Sequence, residues 1–135
     1  GADRKPLSLS LAEIERLQAM KTGALLSAAC EAGAILGRAG ERERQALGDY
    51  ARALGLAFQI ADDLLDAEGN AASLGKAAAK DAARGKATLV SALGVASARK
   101  RLAELIASAE AALSPFGERA EMLKACARYV AARDR

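Results

Sequence analysis

Two stretches of apolar residues at helical spacing, joined by a short glycine-containing connection, most strongly constrain the fold of this chain. Their spacing of three and four positions predicts one helix over residues 11–36 and a second over about residues 41–66. The first stripe consists of Leu11, Ile14, Leu17, Leu25, Ala28, Ala32, Ile35 and Leu36. The second consists of Leu47, Ala51, Leu54, Phe58, Ala61 and Leu65. Because only Gly37 to Gly40 separate the two helices, we expect an antiparallel pair.

The ends of the predicted helices carry recognisable signals. Ser10 followed by Glu13 is a capping-box pattern, which predicts that the first helix begins at Leu11. Three more helical segments are predicted further along, the first in ATLVSALG (87–94) and the others over about residues 97–112 and 118–132.

The composition agrees with a helical fold. The 135 residues suffice for one domain with a modest core, and 52% are apolar but only 3% aromatic. Much of the apolar fraction is alanine, the best helix former and a small side chain, so helices can pack closely around a thin core. No β-branched stretch is long enough for a strand. We therefore predict an all-α, antiparallel helical bundle.

Charge and residue usage exclude several classes of function. The net charge of +3 is small and dispersed, which argues against a nucleic-acid partner. The absence of histidine removes the commonest acid–base residue and most zinc sites. Cys30 and Cys126 are interpreted as small buried apolar residues in a reducing compartment. Because no apolar run could span a bilayer, we predict a cytoplasmic protein without stable membrane insertion.

A cluster of aspartates interrupts the second helix, in the sequence FQIADDLLD at positions 58–66. Gln59, Asp62 and Asp66 are three and four positions apart and share one helix face, while Asp63 lies about 100° round. Converging carboxylates suit a hard cation such as Mg²⁺. The alternative is a solvated acidic helix end. Acidic charge at the predicted helix C-terminus opposes the helix dipole, which favours the metal hypothesis.

Lys21 and Thr22 are the second candidate pair. Lys21 falls on the apolar stripe of the first helix, four residues from both Leu17 and Leu25. Its ammonium group could reach past its neighbours to water, as lysines on apolar stripes commonly do. The functional alternative is a cation directed into a polar cavity of the bundle, with the Thr22 hydroxyl beside it.

Residues 67–86 break the helical pattern and are predicted to form a long loop. Lys76, Lys80 and Lys86 lie in this segment, together with Arg84. Any one of them alone is better explained as a solvated loop residue. Close behind a metal-type aspartate cluster, they are typical of residues that hold an anion such as a phosphate group.

Four stretches together resemble the polyprenyl synthetases, the trans-isoprenyl diphosphate synthases. They are KTGALL (21–26), FQIADDLLD (58–66), LGKAAAKD (74–81) and ARGKATLVSALG (83–94). The resemblance is strongest to bacterial farnesyl diphosphate synthases, and it runs over essentially all 135 residues. It implies an all-α fold of antiparallel helices around a deep cavity.

The resemblance also implies an activity. Enzymes of this family join isopentenyl diphosphate head to tail to an allylic diphosphate, such as dimethylallyl or geranyl diphosphate. The allylic diphosphate departs to give a carbocation, the double bond of isopentenyl diphosphate attacks it, and a proton is lost. Magnesium ions, held by two aspartate-rich motifs, bind the leaving diphosphate.

The resemblance assigns roles to particular residues of this chain. The metal-binding acids of the second aspartate-rich motif would be Asp62, Asp63 and Asp66. The catalytic and substrate-binding group would be Lys21, which holds the allylic diphosphate, and Thr22 and Gln59, which flank the developing cation. Lys76 and Lys86 would bind the diphosphate from the loop.

The first aspartate-rich motif of the family lies upstream of the lysine–threonine pair, and this chain has no second D-D-x-x-D. We therefore expect residues 1–135 to be the C-terminal part of a single polyprenyl synthetase domain. Such a part would be inactive alone and would belong to a homodimer in the full-length protein. Two alternatives to a farnesyl product remain. One is a geranylgeranyl or longer-chain diphosphate synthase, and the other is a non-catalytic helical subunit of the same fold.

Overall fold

The computed structural model describes residues 10–73 and 89–132, and every regular element in that part of the chain is helical. The elements are α1 (Leu11–Gln18), a π-helical turn (Ala19–Gly23), α2 (Ala24–Leu36), α3 (Glu41–Ser73), α4 (Leu89–Leu93), α5 (Val95–Ala112), a 3₁₀ segment (Ser114–Ala120) and α6 (Glu121–Ala132). The prediction of an all-α fold is confirmed.

The first helix begins with the predicted capping box. The Ser10 hydroxyl donates to Glu13 Oε2 at 2.7 Å, and the Ser10 backbone N–H donates to the same oxygen at 2.8 Å. In return, the Glu13 N–H donates to Ser10 Oγ at 3.4 Å. These bonds satisfy donors that have no partner inside the helix, and they lower the pKa of Glu13.

The connection between α2 and α3 is a Schellman motif. The Ala39 N–H donates to the Ala34 carbonyl at 2.9 Å, and the Arg38 N–H donates to the Ile35 carbonyl at 3.0 Å. The motif needs one left-handed residue, and that residue is Arg38, with φ at 52°. Gly37 stays in the right-handed helical region. The predicted antiparallel pair therefore forms, but neither of its glycines supplies the positive φ.

Helix α3 lies at the centre of the molecule and contacts α2, α5 and α6. Its buried face consists of Ala46, Tyr50, Ala51, Leu54, Ala57, Ile60, Ala61 and Leu64. Leu102, Leu105, Ile106 and Ala109 of α5 join the same core. The two helices pack closely because alanines are interspersed among the larger residues, as the composition predicted.

Two sequence expectations about α3 need correction. The helix does not end at Asp66 but continues to Ser73, so seven residues assigned to the loop are helical. Ala67, Ala71 and Ala72 favour helix strongly enough to offset Gly69 and Asn70. The aspartates are therefore not at the helix C-terminus, and the argument from the helix dipole does not apply.

The apolar stripe predicted for the first helix is also largely wrong. Of its large residues with a described side chain, Ile14 is buried, whereas Leu17, Leu25, Ile35 and Leu36 are 55–84% exposed. Beyond the π-helical turn, the inward face contains Leu26, Cys30 and Ala34 instead. The π-helical turn holds one residue more than an α-helical turn, so it rotates all later positions by about 100° relative to an unbroken α-helix. In addition, α2 is apolar on every side, so its pattern does not select a face.

The C-terminal helices form as predicted, and Tyr50 ties the last one to the core. The Tyr50 hydroxyl donates to the backbone carbonyl of Leu123 at 2.9 Å. Cys30 is half-buried, which raises the pKa of its thiol, but Cys126 is exposed, contrary to expectation. None of the helices over residues 10–73 and 89–132 is long and apolar enough to cross a membrane.

Candidate functional site

A π-helical turn carries the lysine–threonine pair. Residues Ala19–Gly23 form this turn between α1 and α2, and it packs against α3. π-Helical turns cost hydrogen-bond geometry and are found frequently at functional sites. Lys21 and Thr22 lie within it, where the sequence predicted an unbroken α-helix. The apolar spacing gives no signal for a single extra residue in one turn.

Thr22 and Gln59 are brought together across the helix pair. Gln59 Nε2 donates to Thr22 Oγ1 at 2.5 Å, between residues 37 positions apart in the chain. Gln59 is only 6% exposed and is a buried polar side chain in a core that is otherwise apolar. Such a group is costly unless it is hydrogen-bonded, so this bond stabilises both side chains in one arrangement. Two residues assigned to the same site by resemblance are therefore direct neighbours.

The backbones of the two elements touch next to this bond. Gly55 lies one helical turn before Gln59, and Gly23 directly follows Thr22. A Cβ atom on Gly55 would lie 2.7 Å from the Cα atom of Gly23. Apolar periodicity and the recognised motifs mark neither glycine. The signal present was a glycine inside a helical pattern, which is costly unless a close approach requires it.

The three aspartates lie on one continuous stretch of α3, beginning one turn after Gln59. Asp62 and Asp63 are half-buried, and Asp66 is exposed. The helix therefore gives Gln59, Asp62 and Asp66 the shared face that their spacing predicted. Over residues 10–73 and 89–132, no three Asp, Glu, His or Cys side chains form a group that could hold a metal ion. The carboxylates alone thus do not build a complete metal cage.

The remaining predicted residues are placed only in part. Lys21 is located on the π-helical turn by its backbone. Lys76 and Lys86, and with them the loop assigned to diphosphate binding, lie outside the described residues. The described part of the site is therefore a hydrogen-bonded threonine and glutamine, followed along α3 by acidic residues, on the face of an all-helical bundle.

These features define a helical protein with a polar, acidic site on one face of its central helix. The chain belongs to the polyprenyl synthetase family, whose model matches residues 2–123. It is 38% identical over 137 residues to the farnesyl diphosphate synthase of Escherichia coli strain K12, covering 98% of this chain and 46% of that protein. It is 39% identical to the farnesyl diphosphate synthase of Geobacillus stearothermophilus, covering 94% of this chain and 43% of the relative.

Relatives with other product names are similar to the same degree. The putative geranylgeranyl pyrophosphate synthase 8 of Arabidopsis thaliana is 38% identical over 96% of this chain and 36% of its own length. Among solved structures, the apo FPP/GFPP synthase of Zymomonas mobilis superposes with a TM-score of 0.81 at 45% identity. That match covers 96% of this chain and 41% of the other.

The comparisons confirm the predicted family and fold. The chain spans less than half the length of these relatives. The roles of individual residues stay predictions.

Proposed function

We propose that this chain provides the second aspartate-rich motif and the lysine–threonine pair of a prenyltransferase. The reaction would condense isopentenyl diphosphate with dimethylallyl or geranyl diphosphate to give farnesyl diphosphate. The observation that carries the proposal is the 2.5 Å bond from Gln59 to Thr22, which brings one residue of each motif into direct contact. A helical scaffold without a ligand has little reason to bury a glutamine at this crossing.

In this reaction the bond between the allylic carbon and the diphosphate oxygen breaks, and the diphosphate leaves with the electron pair. The π electrons of isopentenyl diphosphate form the new carbon–carbon bond, and a proton is then lost. Lys21 would hold the diphosphate through its ammonium group, assisted by Lys76 and Lys86 from the downstream segment. A positive charge already in place beside a developing anion stabilises the transition state, and electrostatic stabilisation of this kind is usually the largest single contribution to catalysis.

Thr22 and Gln59 would face the developing allylic cation. Because the Gln59 amide N–H already donates to Thr22, its carbonyl oxygen is held in a fixed direction on the same side chain. An oriented carbonyl dipole can stabilise nearby positive charge without reacting with it. A carboxylate or a water molecule in the same place would react with the cation. The small apolar residues around Gln59 would keep water away from the cation.

The aspartates of α3 fit the type of Mg²⁺ site in which substrate phosphates supply some of the ligands. Mg²⁺ is commonly held by one or two carboxylates together with phosphate oxygens and water. Half-buried Asp62 and Asp63 supply such carboxylates, and Asp66 lies one turn further along. When bound, Mg²⁺ would neutralise negative charge on the leaving diphosphate. That no three acids form a cage among the described side chains is consistent with a metal that binds together with its substrate.

We further propose that residues 1–135 act as the C-terminal part of one polyprenyl synthetase domain, in a homodimeric cytoplasmic protein. The coverage of its relatives, 36–46% of their length, supports this assignment. A geranylgeranyl or longer-chain product is the alternative that the Arabidopsis relative favours. A non-catalytic subunit of the same fold is the second alternative, since the chain matches less than half the length of these relatives.

The first test is ligand-dependent thermal stability of the 135-residue chain with a non-hydrolysable allylic diphosphate analogue, with and without Mg²⁺. We expect a rise in melting temperature that needs both ligands and that disappears in Asp62→Ala. The matched control is Asp49→Ala, an exposed aspartate earlier on the same helix. It should retain the shift.

The second test measures activity in a complete framework. Replacing the matched segment of the Escherichia coli relative by this chain gives a chimera that contains the rest of that enzyme. Prenyl transfer from the allylic diphosphate to isopentenyl diphosphate, abolished by Asp62→Ala, is the expected result. A folded chimera without transfer would favour the non-catalytic subunit, and the length of the product distinguishes farnesyl from longer products.

A further inference from the structure

The contact between Gly55 and Gly23 is a backbone-to-backbone contact. A Cβ atom on Gly55 would lie 2.7 Å from Gly23 Cα, 3.4 Å from Gly23 N and 3.8 Å from Leu26 Cδ1. The first distance is too short for any real carbon–carbon contact. Because the obstructing atom belongs to the main chain, no rotamer change can relieve the clash. Any larger residue at position 55 must move the π-helical turn away from α3.

Other glycines of the bundle are not constrained in this way. Gly48 lies two turns earlier on α3, and its Cβ would meet only the Arg52 Nη1 atom, at 3.4 Å. Added Cβ atoms on Gly33 and Gly40 would meet nothing within 4 Å. Steric contact with a neighbouring backbone therefore distinguishes Gly55 from these three, and Gly48 offers a matched control on the same helix.

The place of this contact connects it to the site. Gly55 is four residues, about 6 Å of helix, before Gln59. Gly23 is bonded directly to Thr22. The backbone contact and the 2.5 Å bond from Gln59 Nε2 to Thr22 Oγ1 therefore belong to one helix crossing. A displacement of 1 Å along the bond would lengthen it from 2.5 to about 3.5 Å, beyond the usual range of N–H···O distances.

We propose that Gly55 is a positioning residue, whose backbone contact with Gly23 sets the spacing between α3 and the π-helical turn. That spacing fixes the Gln59–Thr22 hydrogen bond and the separation between the aspartates on α3 and Lys21 on the turn. The catalytic consequence rests on the proposed function, whereas the control of the hydrogen bond does not.

The direct test is hydrogen exchange of the Gln59 side-chain amide, followed by NMR in the 135-residue chain and assigned by its loss in Gln59→Leu. In Gly55→Ala, exchange should accelerate about tenfold, the factor expected from losing one ordinary hydrogen bond. Gly48→Ala should leave it unchanged. If Gly55→Ala is folded and the Gln59 amide exchanges as slowly as in the parent protein, the proposal is overturned.

Should Gly55→Ala alone not fold, the same comparison is made in an Arg38→Gly background, which removes an unfavourable left-handed arginine far from the site. An unchanged exchange rate there overturns the proposal as well.

Kinetics of the chimera test the consequence for the reaction. Misplacement of about 1 Å can lower a rate about 100-fold, so Gly55→Ala should lower kcat strongly with a smaller effect on the allylic KM. If Gly55 acts through Thr22, introducing Gly55→Ala into the Thr22→Val variant should lower kcat only slightly further. Multiplicative effects on kcat would instead show a merely structural role and overturn the catalytic part. Absence of transfer by the unsubstituted chimera would count against the proposed function, while the amide exchange still decides the role of Gly55.

Discussion

The central helix α3 and the outer helix α2 are both rich in apolar residues, yet they use them differently. On α3 the apolar residues form one buried face, and Leu54 is only 7% exposed. On α2 they surround the helix, so that Leu25 is 74% and Leu36 is 84% exposed. Apolar content alone therefore does not show which side of a helix is inside, whereas contrast between its faces does.

The comparison is tested most strongly by removing the same atoms from both helices. Leu54→Ala should lower the free energy of unfolding by about 2–5 kcal/mol, because it leaves a cavity in the core. Leu25→Ala should change it by no more than about 0.5 kcal/mol, as for other exposed positions. Both changes are Leu→Ala within a helix, so differences in helix propensity cancel. Urea unfolding of the two variants makes the comparison, and equal losses would contradict the assigned faces.

The next largest effect on stability is expected for the hydrogen bond between Tyr50 of α3 and the backbone of α6. Tyr50→Phe removes the hydroxyl that donates to the Leu123 carbonyl, and it should cost about 1–3 kcal/mol near neutral pH. Tyr129→Phe is the matched control, because Tyr129 is 68% exposed. Urea unfolding at pH 7 should show a lower free energy of unfolding for Tyr50→Phe but not for Tyr129→Phe.

The same tyrosine predicts a dependence on alkaline pH. Burial, together with the nearby Cys126 and Cys30 thiols, raises the pKa of Tyr50 to about 12, from 10.0 when unperturbed. Because the folded state holds this proton more tightly, the stabilising contribution is present below pH 10 and is lost as the pH rises from 10 to about 12. Tyr50→Phe should therefore lose less stability over this interval than the parent protein. Parallel losses in both would contradict the assignment.

The smallest effect on the free energy of unfolding is expected in the connection between α2 and α3. Arg38→Gly should raise the free energy of unfolding by up to about 1 kcal/mol, because a left-handed conformation is unfavourable for residues with a Cβ atom. Arg38→Ala keeps the Cβ atom and should not stabilise the protein. Denaturant midpoints of the two variants distinguish this backbone effect from the loss of the arginine charge.

For the site, as for the fold, the sequence predicted some features and missed those that depend on how two helices cross. The resemblance assigned Thr22 and Gln59 to one site, and the hydrogen bond between them agrees with that assignment. Neither the π-helical turn at Ala19–Gly23 nor the Gly55 contact could be predicted. Each depends on how two helices cross, which involves residues about 30 positions apart in the chain.

The sequence by itself determined the helical class, the family, the start of the first helix at Leu11 and the shared face of Gln59, Asp62 and Asp66. The family follows from a resemblance over essentially all 135 residues, and the other three follow from spacing and capping within a few neighbouring residues. Only the tertiary structure decided which face of α2 is buried and that Gly55 touches Gly23. The physical reason is that local patterns specify hydrogen bonds within a helix, whereas packing between helices depends on steric contacts that local spacing does not encode.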